Sequence, residues 1–121
     1  NEEIKQAIDN NNTYIVLVDS EVVATFTLTP EKSEWDQHIF GVDSTNDSLY
    51  LHRLAVTPEY MNQGIGQELL NWIEQNHQSE KLYLKLDCVA DNPRLNQFYL
   101  ENGFEYIGET DNHSKNQKKI K

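Results

Sequence analysis

Two glycines, Gly64 and Gly66, stand one residue apart between an apolar strand over 49–56 and a helix with a single apolar stripe. A glycine turn at the start of a helix presents unpaired backbone N–H groups, aligned with the helix dipole, that bind phosphate oxygens. Two known phosphate loops are excluded, because no Lys followed by Ser or Thr comes after Gly66 and Leu69 stands where a third glycine is needed. The spacing therefore predicts an anion site in 61–67, with a plain glycine turn as the alternative.

Two segments carry a longer pattern. The first reads Met61-Asn62-Gln63-Gly64-Ile65-Gly66, and the second runs from Asn92 through Tyr99 to Gly103-Phe104. They resemble the acetyl-CoA loop, Arg/Gln-x-x-Gly-x-Gly/Ala, and the Asn-x6-Tyr-x3-Gly-Phe segment of the GNAT family of N-acetyltransferases. Met61 stands where that family usually has Arg or Gln. The two segments and the strand between them cover about residues 49–107, and the part before them matches by the order of its elements alone.

The resemblance implies acetyl-CoA as the co-substrate. Backbone groups of the loop are expected to bind the coenzyme diphosphate, and the strand edge before it is expected to pair with the peptide-like pantetheine arm. The N–H of Leu54 would face the thioester oxygen. The coenzyme-binding residues implied in this way are Leu54, Ala55, Val56, Met61, Asn62, Gln63, Gly64, Ile65, Gly66, Gln67, Asn92 and Tyr99.

Acetyl transfer to an amine needs a polarised carbonyl, a neutral amine and a proton for the leaving thiolate. The resemblance assigns the proton donor to Tyr99, for which a packing role on an amphipathic helix is the alternative. Asn92, which precedes Pro93, also fits a helix N-cap. His52 is the candidate general base because an imidazole titrates near pH 6.5, and a hydrogen-bonded strand histidine is the alternative.

Strand alternation places Tyr50, His52 and Leu54 on one face. Cys88 is the only cysteine. Without an adjacent histidine it is expected to be a small buried residue rather than a nucleophile. The spacing of the other histidines is not that of metal ligands, so no metal site is predicted. These histidines are His38, His77 and His113.

Composition limits the class of protein. A chain of 121 residues, 37% hydrophobic and 25% charged, suits one globular domain over 1–121. The net charge of −10 argues against nucleic acid as a partner and favours a cationic substrate or simple solubility. No apolar run is long enough to cross a bilayer, so no membrane partner is expected. A single cysteine fits a cytoplasmic location.

Periodicity and turn residues predict the order of elements. A helix is expected over 2–9, followed by a hairpin of strands at 13–19 and 22–29 and an irregular segment at 31–46. Three further strands are expected at 49–56, 81–89 and 104–107, with a helix at 64–78 after the first of them and a helix at 92–102 after the second. Residues from 110 onward are expected to form a loop or a frayed strand.

This order predicts an α/β fold with a GNAT-like mixed, mostly antiparallel central sheet flanked by helices. The resemblance implies a splayed strand pair, ending at Val56 and Val89, that opens to the coenzyme. It also implies an N-terminal strand and helix and a last strand that this chain would lack, so the domain is expected to be shortened at one or both ends.

The leading hypothesis is an N-acetyltransferase that moves an acetyl group from acetyl-CoA to a primary amine by direct attack in a ternary complex. The acceptor would be a small cationic molecule or a peptide or protein amine. The alternatives are a catalytically inactive acyl-CoA-binding module and an interaction domain whose glycines only turn the chain. The acceptor, the general base and a homodimer all stay open at this point.

Overall fold

The computed structural model describes residues 2–7, 10–42, 47–61, 63–76 and 81–120. Within these ranges the strands belong to a mixed, mostly antiparallel seven-stranded sheet, and three α-helices accompany it, which confirms the predicted fold class. The elements are β1 (Glu2–Ala7), β2 (Asn10–Val18), β3 (Glu21–Thr29), α1 (Glu34–Phe40), β4 (Ser48–Val56), a 3-10 turn (Pro58–Tyr60), α2 (Ile65–Asn76), β5 (Tyr83–Val89), α3 (Pro93–Glu101), β6 (Glu105–Thr110) and β7 (His113–Lys119).

Packing divides the chain into two units, of which the first comprises Asn1–Leu28 and Leu51–Ser79. Here β1, β2 and β3 form an antiparallel meander. The apolar stripe of α2 is buried as predicted, through Ile65, Leu69, Leu70 and Ile73. The indole of Trp72 lies 5.6 Å from the Tyr14 ring and 6.3 Å from the Phe26 ring, between centroids. Such aromatic pairs add about 0.5–1.5 kcal/mol each beyond the burial of their area, and they fix α2 on the meander.

The second unit comprises Thr29–Tyr50 and Glu80–Lys121. Its strand order is β4-β5-β7-β6, in which β5 pairs in parallel with Ser48–Tyr50 of β4 and antiparallel with β7. The ladder between β4 and β5 ends at the pair Tyr50 and Lys85.

Helix α1 corrects the irregular segment predicted over 31–46, of which 43–46 lie outside the described residues. The Ser33 hydroxyl accepts a hydrogen bond from Asp36 N at 3.2 Å, and the Asp36 carboxylate accepts one from Ser33 N at 3.0 Å. This capping box satisfies two amides that a helix start leaves unpaired. Gly41 ends the helix with a left-handed φ of 94°. The helix was missed because it has only seven residues and few apolar ones.

The predicted helix over 2–9 is also wrong, because Glu2–Ala7 forms β1 and pairs with β2. Residues 8 and 9 lie outside the described residues. Polar side chains with good helix propensity occupy this segment, and the backbone hydrogen bonds available at the edge of β2 override that weak preference.

The chain from 110 onward is not a loop, and the last strand is present, so the expectation that it is missing is wrong. Asp111 and Asn112, with φ of 50° and 62°, form a turn of the type that joins hairpin strands. The strand β7 follows and lies between β5 and β6. Its buried positions are Ser114 and Asn116, so it lacks the apolar alternation by which strands are recognised. The other predicted elements match the observed ones to within three residues at each end.

Candidate active site

The start of α2 has the geometry expected of an anion site. Glu68 N donates to the Gly64 carbonyl at 3.0 Å, which is the first hydrogen bond of the helix. The N–H groups of the three preceding residues have no acceptor within the helix, because a helix leaves its first amides unpaired. Within the part of the chain that the structure describes, these amides have no other protein acceptor either. They belong to Ile65, Gly66 and Gln67.

Gly64 keeps the approach to these amides open. Its φ of +83° lies in the left-handed region, where a side chain is strained. A Cβ placed on Gly64 would have no atom of the described residues within 4 Å. A glycine at this position therefore satisfies the backbone and also exposes the helix start.

The segment before Gly64 is held by its own hydrogen bonds. The Met61 N–H donates to the Pro58 carbonyl at 3.3 Å, so this amide has an acceptor within the protein, and the coenzyme contact expected of Met61 stays a prediction. The Gln63 side chain donates to the Glu59 carbonyl at 2.7 Å. Asn62, a predicted coenzyme contact, lies outside the described residues.

The second half of β4 contains an irregularity that the sequence did not reveal. Arg53 has a φ of +53°, which is uncommon for a residue with a side chain. Burial still alternates across Arg53, since His52 and Leu54 are half-buried and Arg53 is exposed, so the shared face of Tyr50, His52 and Leu54 stays a prediction. His52 is half-buried and has an interaction of its own within the structure. Of the three residues of β4 that are predicted to bind the coenzyme, Leu54 and Val56 are half-buried and Ala55 is exposed.

In the second unit, Asn92 caps α3. Its side-chain oxygen accepts a hydrogen bond from Leu95 N at 3.1 Å, and Pro93 occupies the first helical position. The cap predicted as one role of Asn92 is therefore confirmed. The cap uses the side-chain oxygen of Asn92 and leaves its side-chain NH₂ group for other contacts. The predicted hydrogen bond from Asn92 to the pantetheine arm therefore stays a prediction.

Tyr99 lies on α3 and is 5% exposed. Its ring packs edge to face against Phe98 and Phe104, with centroids 5.3 and 5.5 Å apart. Burial raises the pKa of the Tyr99 phenol above its usual range, and Cys88 and Asp87 raise it further. The phenol is therefore protonated at neutral pH and available as a proton donor. Packing and proton donation are compatible for this residue.

Cys88 is buried on β5, as predicted. Its Sγ lies 3.6 Å from Asn96 Oδ1, one helical turn before Tyr99. Burial raises the pKa of the Cys88 thiol, and the neighbouring Asp87 adds to this effect. A neutral thiol is a poor nucleophile, so the geometry opposes a covalent role.

Sequence reasoning missed a polar cluster on the opposite face of β5. The Asp87 carboxylate accepts a hydrogen bond from Trp35 Nε1 at 3.0 Å, and its Oδ2 lies 3.0 Å from His113 Nδ1. The Asp87 side chain is 9% exposed. The Trp35 and His113 rings pack edge to face at 5.0 Å between centroids. No local signal could have found this cluster, because its members come from α1, β5 and β7.

Two findings concern other kinds of site. Among the described residues, no three His, Cys, Asp or Glu side chains are grouped as a metal ion would require. In the same residues, no helix is both long and apolar enough to cross a membrane.

The fold and these sites define an α/β protein with an open helix start and a buried helix tyrosine. A model of the acetyltransferase (GNAT) family matches residues 1–104. The chain therefore belongs to the GNAT family of acetyltransferases, which confirms the resemblance found in the sequence.

Individual relatives agree with this assignment. The chain is 39% identical over 107 residues to an uncharacterized N-acetyltransferase, YesJ, of Bacillus subtilis (strain 168), a match that covers 88% of this chain and 59% of the relative. A GNAT acetyltransferase structure from Listeria monocytogenes 4b F2365 has a TM-score of 0.77 at 20% identity and covers 93% of this chain and 66% of that one.

A third relative, the PaiA N-acetyltransferase of Thermoplasma acidophilum solved in complex with coenzyme A, has a TM-score of 0.69 at 22% identity. That match covers 88% of this chain and 59% of the other. At these identities the structural likeness establishes the fold. The chain spans about three-fifths of the length of YesJ and PaiA.

Proposed function

We propose that this protein transfers an acetyl group from acetyl-CoA to a primary amine by direct attack in a ternary complex. The observation that carries the proposal is the helix start of α2, where the amides of Ile65, Gly66 and Gln67 have no acceptor among the residues that the structure describes. Backbone amides and a helix dipole bind a diphosphate without a basic side chain. The net charge of −10 is therefore compatible with a coenzyme rich in phosphates.

Tyr99 is proposed as the proton donor to the departing thiolate. A phenol whose pKa is raised by burial stays protonated at neutral pH, whereas a thiolate formed by C–S cleavage is basic enough to accept a proton. Two observations support this role: the PaiA neighbour was solved in complex with coenzyme A, and the family resemblance implies a proton donor at the position of Tyr99.

The acceptor is proposed to be a small cationic amine or a peptide or protein amine. Twenty acidic residues against ten Lys and Arg give a negative surface that attracts cations. A cytoplasmic location is proposed from the single cysteine, and a homodimer is open to measurement of the molecular mass in solution.

A catalytically inactive acyl-CoA-binding module is the second candidate. Two observations favour it: Met61 replaces the usual Arg or Gln of the coenzyme loop, and β4 contains no glutamate to act as base.

Two measurements separate the candidates. Calorimetry with CoA tests both, since either one requires binding and an interaction domain would show none. Thiol release from acetyl-CoA over a panel of polyamines, amino acids and peptides then tests catalysis. Amine-dependent release supports the enzyme, whereas binding without release on every amine supports the inactive module.

A further inference from the structure

We propose that His113 is the general base that removes the proton from the acceptor amine, and that Asp87 is the residue that positions it. The inference rests on the proposed acetyl transfer. The structure joins these two residues at 3.0 Å between Asp87 Oδ2 and His113 Nδ1, in the polar cluster that Trp35 completes.

Asp87 is well placed to orient an imidazole. Its side chain is more than nine-tenths buried, and its Oδ2 is held by the Trp35 indole N–H. The Asp87 Oδ2 lies 3.0 Å from His113 Nδ1, although this nitrogen makes no directional hydrogen bond in the structure. The contact is an ion pair only while the imidazole carries a proton on both nitrogens, which is the state that a histidine base reaches after it has accepted a proton.

His113 also remains accessible. About a quarter of its side chain, 26%, is exposed. No hydrogen bond of its Nε2 is present among the described residues. One nitrogen therefore faces a carboxylate and the other is left for a substrate, and a histidine base needs such an unoccupied nitrogen.

The two faces of β5 separate the base from the acid. Asp87 contacts Trp35 of α1, whereas the next residue, Cys88, contacts Asn96 of α3, the helix that carries Tyr99. Successive strand residues point to opposite faces. The base and the acid therefore approach the end of β5 from opposite sides, which suits attack by an amine on one side and departure of a thiolate on the other.

The proton balance is complete with these groups. His113 Nε2 takes a proton from the acceptor ammonium, and the neutral amine forms the C–N bond to the thioester carbonyl carbon. As the C–S bond breaks, Tyr99 donates its phenolic proton to the thiolate. The imidazolium releases its proton to solvent and then takes the second proton of the attacking nitrogen, which it also passes to solvent, and the Tyr99 phenolate regains a proton from solvent, so that one proton is released for each amide formed.

Other charged groups near His113 are few. Lys115 is two residues along β7 and is the register partner of Asp87. On α1, His38 lies beside Trp35 at 5.7 Å between ring centroids and pairs with Asp111 at 3.2 Å. The His38 side chain is 54% exposed, which makes it a matched control histidine on the same indole.

The test is the pH dependence of kcat/KM for an accepted amine. The variant His113→Gln should lower kcat/KM at pH 7 by about 10²–10⁴-fold, remove the acidic limb of the profile, and recover as the pH approaches the pKa of the amine itself. Asp87→Asn should lower kcat and leave the KM for the amine nearly unchanged, because the imidazole loses the carboxylate that positions it. His38→Gln should leave the profile unchanged.

Three results would overturn the inference. They are an acidic limb that survives in His113→Gln, a loss in that variant that is equal at every pH, or a limb that disappears in His52→Gln instead. Should His113→Gln not fold, the ring titration of His113 in the wild-type protein, followed by NMR, must coincide with the acidic limb, and a mismatch refutes the role. A wild-type protein that acetylates no amine refutes the proposed function as well, whereas transfer with an unaltered limb refutes only this inference.

Discussion

The Tyr99 carbonyl accepts a hydrogen bond from the Phe104 N–H at 3.0 Å, and the two rings pack edge to face with their centroids 5.5 Å apart. The backbone and the ring of Tyr99 are therefore fixed by contacts that do not involve its hydroxyl. A substitution that removes only this hydroxyl keeps the packing and isolates the chemistry.

Tyr99→Phe is expected to lower kcat by about 10²–10⁴-fold, the usual contribution of a positioned acid, and to leave the affinity for CoA nearly unchanged. Steady-state kinetics and calorimetry measure the two quantities. Tyr106→Phe is the control, because Tyr106 is 52% exposed on β6 and should affect neither. Equal losses of kcat and affinity in Tyr99→Phe would argue against the acid role.

Comparison of Tyr99→Phe with the wild type also tests whether the pKa of Tyr99 is raised in the folded protein. Burial raises the pKa of Tyr99 in the folded state, so the unfolded chain loses this proton first, near pH 10. Stability is full below that pH and falls above it, by up to about 1.4 kcal/mol per pH unit.

Denaturant unfolding between pH 8 and pH 11 should therefore show a steeper alkaline loss for the wild type than for Tyr99→Phe. The pKa of the Cys88 thiol is also raised, but this contribution is common to both proteins and cancels in the comparison. Parallel curves would show that Tyr99 is not protected from ionisation.

Gly64→Val tests the opening at the start of α2. The new side chain would occupy the space above the first amides of the helix and, by displacing a charge-assisted hydrogen bond, should weaken CoA binding by roughly 10–100-fold. Gly41→Val is a matched control, since Gly41 also has a left-handed φ, +94°, and open space around its Cβ position. Both variants should lose stability, but only Gly64→Val should lose affinity. Unchanged affinity in Gly64→Val would refute the placement of the coenzyme.

Asn92 allows its cap and its predicted coenzyme contact to be separated. Asn92→Ala should cost about 1 kcal/mol of unfolding free energy, the typical value of a helix cap. Asn92→Asp keeps the oxygen that accepts from Leu95 N and should retain stability. Because it lacks the side-chain N–H, it should still bind CoA more weakly, as measured by calorimetry. Wild-type affinity in Asn92→Asp would leave the cap as the sole role of this residue.

The sequence predicted the elements whose signals are local. The apolar stripe of α2 and the alternation of β5 are clear patterns, and the left-handed Asp19 and Ser20 confirm the predicted hairpin turn between β2 and β3. The glycine loop was recognisable because a backbone requirement demands a specific residue type at a specific position.

Elements that depend on tertiary context were missed. The strand β7 buries Ser114 and Asn116, so only its partners β5 and β6 define it as a strand. Helix α1 is different, because its Ser33 and Asp36 capping box is a local signal that the sequence carries. The polar cluster of Asp87 could not be predicted, because Trp35 lies 52 positions from Asp87 and only the fold brings them into contact.

The central claim is that the first amides of α2 bind the diphosphate of the coenzyme. Amide NMR with ¹⁵N-labelled protein tests it directly, by titration with CoA and, separately, with pantetheine, which lacks the diphosphate. We expect large shifts of the Gly66 and Gln67 amides with CoA and almost none with pantetheine. If CoA binds while these amides keep their positions in the spectrum, the claim is contradicted.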